Sequence, residues 1–240
     1  MRIGNTELQP LTKFLLFANI AVFILVQMNS DLFIYLAAFF PGLDYFIPTQ
    51  IITHMFMHGG VGHIFFNMFG LFIFGNFLER VLGSKKFGIL YFVSGFGAYA
   101  LHLASQYYDF YELNQYLAAS SEPMTAAYFL KFVDYGVVDA LLKSKGWTSI
   151  LSPVVGASGC LYGLLAAFAY LFPNTELMLL FIPFPIKAKY FVPIMVGIDL
   201  FLGFNPVAMD NIAHFAHIGG ALFGFLLVIF WNKYNKREFY

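Results

Sequence analysis

Four polar side chains within apolar stretches of this sequence have the chemical types needed for nucleophilic catalysis: His63, Asn67, Ser158 and His217. A serine hydroxyl becomes a good nucleophile when a neighbouring base takes its proton, and neutral imidazole can do so near pH 7. His63 and Asn67 are spaced i and i+4, so both donors lie on one face of a helix. Such a pair is suited to hold the oxyanion of a tetrahedral intermediate. The residue types therefore suggest acyl transfer.

The segments that must position these side chains are long and apolar. Of the 240 residues, 60% are apolar and only 11% are charged, whereas a soluble domain has about a quarter of its residues charged. A helix needs about 20 apolar residues to cross a hydrocarbon core roughly 30 Å thick. The pattern predicts an all-α membrane protein. Its six transmembrane helices are expected near residues 12–30, 61–79, 87–107, 157–173, 188–204 and 212–232.

Charge and cysteine content exclude several classes of protein. The 13 basic and 13 acidic residues cancel, so no basic surface for nucleic acid is predicted. A single cysteine excludes a disulfide framework, and metal or redox motifs of the CxxC type are absent from the sequence. The expected surroundings are a lipid bilayer, without nucleic acid as a partner.

Two further stretches are predicted to lie at the membrane surface. Residues 31–60 contain prolines and paired glycines, which favour a loop in the interface over a seventh span. Residues 108–148 carry most of the mid-chain charge and apolar residues at near-helical spacing, which predicts an amphipathic outer insertion. A substrate-docking flap is the alternative for this insertion. The whole chain, 1–240, is interpreted as a single transmembrane domain.

The distribution of basic residues predicts the orientation. Most of the lysines and arginines fall in segments that are cytoplasmic if the N-terminus is cytoplasmic. Both termini are therefore expected in the cytoplasm. The first span has no small-residue cleavage site before Asp31, so it is interpreted as a permanent helix. The expected location is the inner (plasma) membrane of the cell, in a multi-pass arrangement.

The polar residues share one depth in this topology. His63, Ser158 and His217 each lie sixteen residues before the inner end of their segment. At 1.5 Å per residue this is about 24 Å from the inner boundary of the hydrocarbon, and Asn67 lies about 18 Å from it. Hydrogen bonds that only join helices do not require the polar residues of three helices to lie at one depth. A reaction centre near the outer surface does.

A Ser–His dyad fits these positions better than a triad. No carboxylate is predicted at a depth suitable to orient the base, and Asp199 and Asp210 are the nearest outer candidates. Two GxxxG pairs lie beside the proposed nucleophile and base, and such pairs let helices approach closely. They are Gly159–Gly163 and Gly220–Gly224.

Three motifs, taken in order, resemble those of the rhomboid intramembrane serine proteases of the compact six-helix bacterial type, over about residues 50–230. The motifs are His63-Ile64-Phe65-Phe66-Asn67, Gly156-Ala157-Ser158-Gly159, and Ala216-His217-Ile218-Gly219-Gly220 followed by Gly224. The resemblance implies endoproteolysis of single-pass transmembrane substrates near the outer membrane face.

The same resemblance implies roles for individual residues. Ser158 is the expected nucleophile and His217 the general base, while His63, Asn67 and the Ser158 amide are expected to form the oxyanion hole. Tyr162 matches the tyrosine that packs against the catalytic histidine. Gly156, Gly159, Gly220 and Gly224 are supporting positions, and Glu79-Arg80 resembles a structural ion-pair position.

Alternatives remain for the base and for the function. His214 lies one turn before His217 and is the alternative base. His54 and His58 are spaced as in an intramembrane metalloprotease, but no glutamate supplies the general base of HExxH. No metal and no cofactor are therefore expected. Two rival functions remain: a catalytically inactive relative that binds membrane helices, and a transporter. The absence of an internal repeat from the sequence argues against the transporter.

Overall fold

The computed structural model describes residues 7–179, 182–205 and 213–234, and within these ranges the chain is mostly helical. Asp210 lies outside the described residues. The helices and strands are α1 Pro10–Met28, α2 Leu32–Leu36, α3 Gln50–Thr53, α4 Val61–Gly70, α5 Asn76–Ala118, α6 Ala126–Phe132, α7 Tyr135–Lys145, α8 Ser158–Leu171, β1 Glu176–Leu179, β2 Ile182–Lys187, α9 Ala188–Phe204 and α10 His214–Tyr234. A π-helical turn, Leu71–Gly75, joins α4 to α5.

Three described helical stretches are long and apolar enough to cross a membrane: Pro10–Met28, Val61–Ala118 and His214–Lys233. The second is not one straight rod, because Gly83 has φ 77° and ψ 155° and interrupts it. A positive φ is cheap for glycine, which has no Cβ. The prediction of a mostly helical membrane protein is therefore confirmed, while the number of crossings and the side on which the termini lie stay predictions.

A short hairpin between α8 and α9 was not predicted. Strands β1 and β2 pair antiparallel, with Glu176 opposite Lys187. The hairpin leads directly into α9, which spans the same residues as the predicted fifth helix, 188–204.

The 31–60 segment contains short helices and is held by one buried amide. The Gln50 side chain donates to the carbonyl oxygens of Ile34 and Tyr45 and accepts from the backbone N–H groups of Phe39 and Ile47, at 2.7–3.3 Å. Four hydrogen bonds from one side chain explain how a segment rich in turns is fixed without long helices.

The insertion begins later than predicted and has its own apolar core. Helix α5 continues through the predicted start at residue 108 and ends at Ala118. Helices α6 and α7 then fold back on its end and on the 31–60 segment. The cluster comprises Phe40, Leu113, Leu117, Ala126, Phe129, Val138, Leu142 and Ile150. Apolar residues that were interpreted as a membrane-facing stripe thus pack against one another.

Helices α5, α8 and α10 approach closely at glycines. A Cβ added to Gly220 would overlap the carbonyl oxygen of Gly159, and one added to Gly163 would overlap the Ser94 side chain. A Cβ on Gly224 would lie 2.6 Å from the Cα of Gly163. The two GxxxG pairs therefore face each other, and they bring the start of α8 beside the start of α10.

The start of α1 is fixed by Glu79, which is buried at the beginning of α5. Its carboxylate accepts from the N–H groups of Leu11 and Thr12 at 2.9 and 2.7 Å and from the Thr12 hydroxyl at 2.8 Å. The Ser84 hydroxyl is a fourth donor, at 2.6 Å. A carboxylate at a helix N-terminus satisfies free N–H groups and the helix dipole. Glu79 is thus structural, as the resemblance implies, but its donors are N–H and hydroxyl groups.

Candidate active site

Ser158 and His217 meet across the contact between α8 and α10. Ser158 is the first residue of α8, and its Oγ lies 2.9 Å from Nε2 of His217. The residue types predicted to act together are therefore in hydrogen-bond contact. His214, the alternative base, uses its Nδ1 in a contact with Asp199 at 2.6 Å.

Asp199 of α9 lies behind His217. Its Oδ1 is 3.1 Å from Nδ1 of His217 and 2.6 Å from Nδ1 of His214. The Tyr162 hydroxyl lies close enough to this carboxylate to interact with it. Asp199 is itself buried, at 5% exposure. The expectation that no carboxylate is available to the base is wrong.

Residue counting named Asp199 only as one of the two nearest outer candidates, because counting gives a depth along each helix and not the tilt or crossing of neighbouring helices. One signal in the sequence could have identified it. A carboxylate within an apolar helix is costly in hydrocarbon, so such a residue is a functional candidate by default.

The imidazole of His217 is held on its face as well as at its edge. The Tyr162 ring stacks on it, with ring centroids 4.2 Å apart and planes 10° from parallel. The predicted packing of Tyr162 against this histidine is therefore present in the structure. Stacking restricts the rotation of the imidazole about its χ2 angle.

His63 and Asn67 converge near Gly156. A Cβ built on Gly156 would lie 2.6 Å from Nε2 of His63 and 3.4 Å from Nδ2 of Asn67. Gly156 has φ 112°, a conformation that favours glycine, and its N–H donates to the carbonyl of His54 at 2.8 Å. Both side chains therefore reach the backbone that leads into Ser158.

Nδ2 of Asn67 is buried without a hydrogen-bond partner among the described residues. A buried amide donor left unpaired costs free energy, so such a group in a native structure calls for an explanation. An oxyanion that is present only during a reaction would satisfy this donor.

A cavity of about 1160 Å³ opens beside these groups. Its walls include His63, Gly156, Ser158 and His217, together with polar groups farther along it such as Ser149. The cavity is large enough to admit an extended segment of polypeptide and water. The outer part of α5 also contributes to its wall through Tyr108 and Asp109, and the insertion contributes through Gly146 and Thr148.

One group of described residues could hold a metal ion. Asp199, His214 and His217 each offer a ligand atom, and these atoms lie within 4.8 Å of one another. Asp199 already accepts hydrogen bonds from both histidines, so the carboxylate is satisfied without an ion.

His54 and His58 belong to the surroundings of the site. Burial lowers the pKa of each to about 4, so both are neutral near pH 7. Nδ1 of His54 lies 2.8 Å from the carbonyl oxygen of Gln50. The His58 ring packs edge-on against His63, with centroids 5.1 Å apart. These contacts are those of buried structural histidines.

The chain resembles known proteins over most of its length. Residues 48–233 match the family model described as the Rhomboid domain. The sequence is 29% identical to RHOMBOID-like protein 6, mitochondrial, of Arabidopsis thaliana over 74% of this chain and 42% of that protein. It is 26% identical to RHOMBOID-like protein 12, mitochondrial, of the same plant over 94% and 58%. It is 28% identical to Rhomboid protein 1, mitochondrial, of Saccharomyces cerevisiae over 79% and 43%.

The chain therefore covers roughly half the length of each of these relatives. Their names overturn one prediction from the sequence. Relatives named mitochondrial, including a further one from Schizosaccharomyces pombe, point to a mitochondrial membrane. The predicted location in a bacterial-type plasma membrane is wrong.

Proposed function

The chain belongs to the rhomboid family, and from its site we propose that it is an intramembrane serine endopeptidase. The proposed substrates are single-pass transmembrane proteins, cut near the membrane face that is outer in the predicted topology. The observation that carries the proposal is the contact of 2.9 Å between Ser158 Oγ and His217 Nε2 beside the cavity.

The first half of the reaction forms an acyl-enzyme. Ser158 Oγ attacks the scissile carbonyl carbon while its proton passes to Nε2 of His217. The resulting oxyanion accepts hydrogen bonds from His63, Asn67 and the Ser158 N–H. When the C–N bond breaks, the protonated His217 gives its proton to the departing amine.

The second half regenerates the enzyme. A water molecule gives a proton to His217 Nε2 as its oxygen attacks the acyl carbon. The same oxyanion donors hold the second tetrahedral intermediate. Its collapse releases the new carboxyl terminus and returns the proton to Ser158 Oγ.

The proposed topology has six crossings. They are α1, the helices before and after Gly83, α8, α9 and α10. The apolar character of α1, of Val61–Ala118 and of α10 supports it, as does the apolar helix Ser158–Leu171. The test is reporter fusion: fusions at the C-terminus should lie on one side, and fusions within 126–145 on the other.

The activity is tested with the detergent-solubilised full chain and a panel of single-pass transmembrane substrates. Ser158→Ala and His217→Ala should each abolish cleavage while the protein stays folded. Because the two residues act as a unit, the double variant should be no worse than either single variant.

Three results would overturn the proposal or part of it. Normal turnover by Ser158→Ala would exclude a serine protease. Loss of activity in His214→Ala but not in His217→Ala would move the base to His214. Binding of the substrates by the wild-type protein without any cleavage would identify an inactive relative.

A further inference from the structure

Asp199 has a position that the proposed Ser158–His217 chemistry does not yet use. It is a buried carboxylate on α9 that meets two donors from α10. On the premise of the proposed function, we infer that Asp199 is a positioning residue for His217. Ser158, His217 and Asp199 then act together as a triad, in which Asp199 orients the base and stays ionised.

The contact between Asp199 and His217 determines which nitrogen is the base. A carboxylate oxygen accepts hydrogen bonds, so the nitrogen that faces it, Nδ1, carries the proton. Nε2 is then unprotonated and faces Ser158 Oγ at 2.9 Å. With the proton on Nε2 instead, the imidazole could not accept the serine proton. Asp199 therefore selects the productive tautomer.

The carboxylate also stabilises the charge that appears during the reaction. When His217 takes the serine proton, it becomes an imidazolium with Nδ1–H directed at Asp199 Oδ1, 3.1 Å away. Asp199 is buried, and charges interact more strongly where water is excluded. This interaction strengthens at the step in which charge develops, so it lowers the barrier.

A second donor holds Asp199 in place, because Nδ1 of His214 is 2.6 Å from the same Oδ1. The Tyr162 ring stacks on His217, and its hydroxyl lies near the carboxylate. Tyr162 therefore restricts the imidazole on the side of Asp199. This arrangement gives His214 a function distinct from that of a base.

A purely structural role for Asp199, joining α9 to α10, makes a different prediction. It would lower thermal stability when lost and leave the turnover of the folded protein unchanged. Glu79 provides the matched control, because it is also a buried carboxylate with several donors. Its contacts are with α1 and Ser84, and none of them leads to His217.

The experiment compares wild type, Asp199→Asn and Glu79→Gln as full chains in detergent, measuring kcat, KM and the melting temperature. Asp199→Asn should lower kcat on the order of 10²–10⁴-fold, because loss of a group that orients a catalytic or metal-bound histidine has effects of this size. KM should change little. Glu79→Gln should lower the melting temperature and keep the kcat of the wild type.

A double-variant test separates action through His217 from any other. In the His217→Ala background, Asp199→Asn should cause no further loss in the rate at which Ser158 reacts with a fluorophosphonate. An equal loss with and without His217 would overturn the inference. A wild-type kcat for Asp199→Asn would overturn it too. Neither result would contradict the proposed function. That function fails if the wild-type protein does not cleave the substrates or if Ser158→Ala does cleave them.

The inference stays testable if Asp199→Asn does not fold. In the wild-type protein labelled with ¹⁵N-histidine, the His217 signals should show Nδ1 protonated and Nε2 unprotonated. The reverse tautomer would refute a positioning role for Asp199 without reference to any variant.

Discussion

Replacing Gly220 by alanine should separate α8 from α10 and so disconnect Ser158 from His217. The new Cβ would overlap the Gly159 carbonyl oxygen and lie 2.7 Å from its carbon. The helices would have to move apart by at least about 0.7 Å to reach an ordinary contact of 3.4 Å. The 2.9 Å hydrogen bond between Ser158 and His217 would then exceed about 3.5 Å, beyond useful geometry.

The expected loss of activity is at least as large as the expected loss of stability, because a 10²-fold loss of rate corresponds to about 2.7 kcal/mol. Overpacking costs typically 1–3 kcal/mol, whereas misplacing reacting groups by about 1 Å can cost on the order of 10²-fold in rate. The assay measures cleavage of a transmembrane substrate at a temperature well below the melting temperature of the variant. Gly197→Ala is the control, because a Cβ there meets nothing within 4 Å. It should retain the rate of the wild type.

If Gly220→Ala retained both the melting temperature and the rate of the wild type, the close approach would not be what holds the pair together. A variant that unfolded at the assay temperature would be assayed in a more stabilising detergent. The rate relative to the melting temperature would then be compared in the same way. A proportionate loss of both would favour a packing role alone.

Three further predictions follow from the site. Asn67→Ala should lower kcat on the order of 10²–10³-fold, a barrier increase of about 2.7–4 kcal/mol, if its unpaired Nδ2 is a dominant oxyanion donor; a change in KM alone would indicate a substrate contact. Gly156→Ala should abolish cleavage, because φ is 112° and the Cβ would lie 2.6 Å from His63 Nε2; Gly60→Ala, which meets nothing within 4 Å, should cleave normally. The melting temperature should fall as the pH drops from 6.5 to about 4, because burial lowers the pKa of folded His54 to about 4 and the unfolded chain therefore binds its proton first. The full effect of His54 is about 3 kcal/mol; His54→Gln should make the profile less steep, and His58, whose pKa is also about 4, should keep part of the slope.

The apolar pattern predicted the long helices well because lipid imposes one requirement on all of them. Helix α9 has the bounds that the apolar run indicated, Ala188–Phe204. The break between the second and third spans falls at Gly83, within the charged stretch that separates them. Every backbone polar group in hydrocarbon needs an internal partner, so span length and composition carry most of this information.

Features that depend on contacts between helices could not be predicted from the apolar pattern of the sequence. The sequence indicated the types and depths of Ser158 and His217, but the approach of Asp199 depends on how α9 is tilted against α10. The extension of α5 to Ala118 depends on packing with α6 and α7, which the amphipathic pattern alone attributes equally well to a membrane surface. The hairpin before α9 has no alternation of apolar and polar residues that would have predicted its strands.

Glu79 caps the start of α1, so the part of the chain that must fold together is longer than the part that matches the family model. The family model begins at residue 48, well after α1, yet Glu79 inside the matched region takes three hydrogen bonds from Leu11 and Thr12. A shortened chain that started at the homology boundary would leave this carboxylate with Ser84 alone among the donors described above. Removing the partners of a buried charge costs roughly 3–5 kcal/mol. Fusion proteins and chimaeras that exchange the first helix must therefore exchange Glu79 and its donors on α1 together.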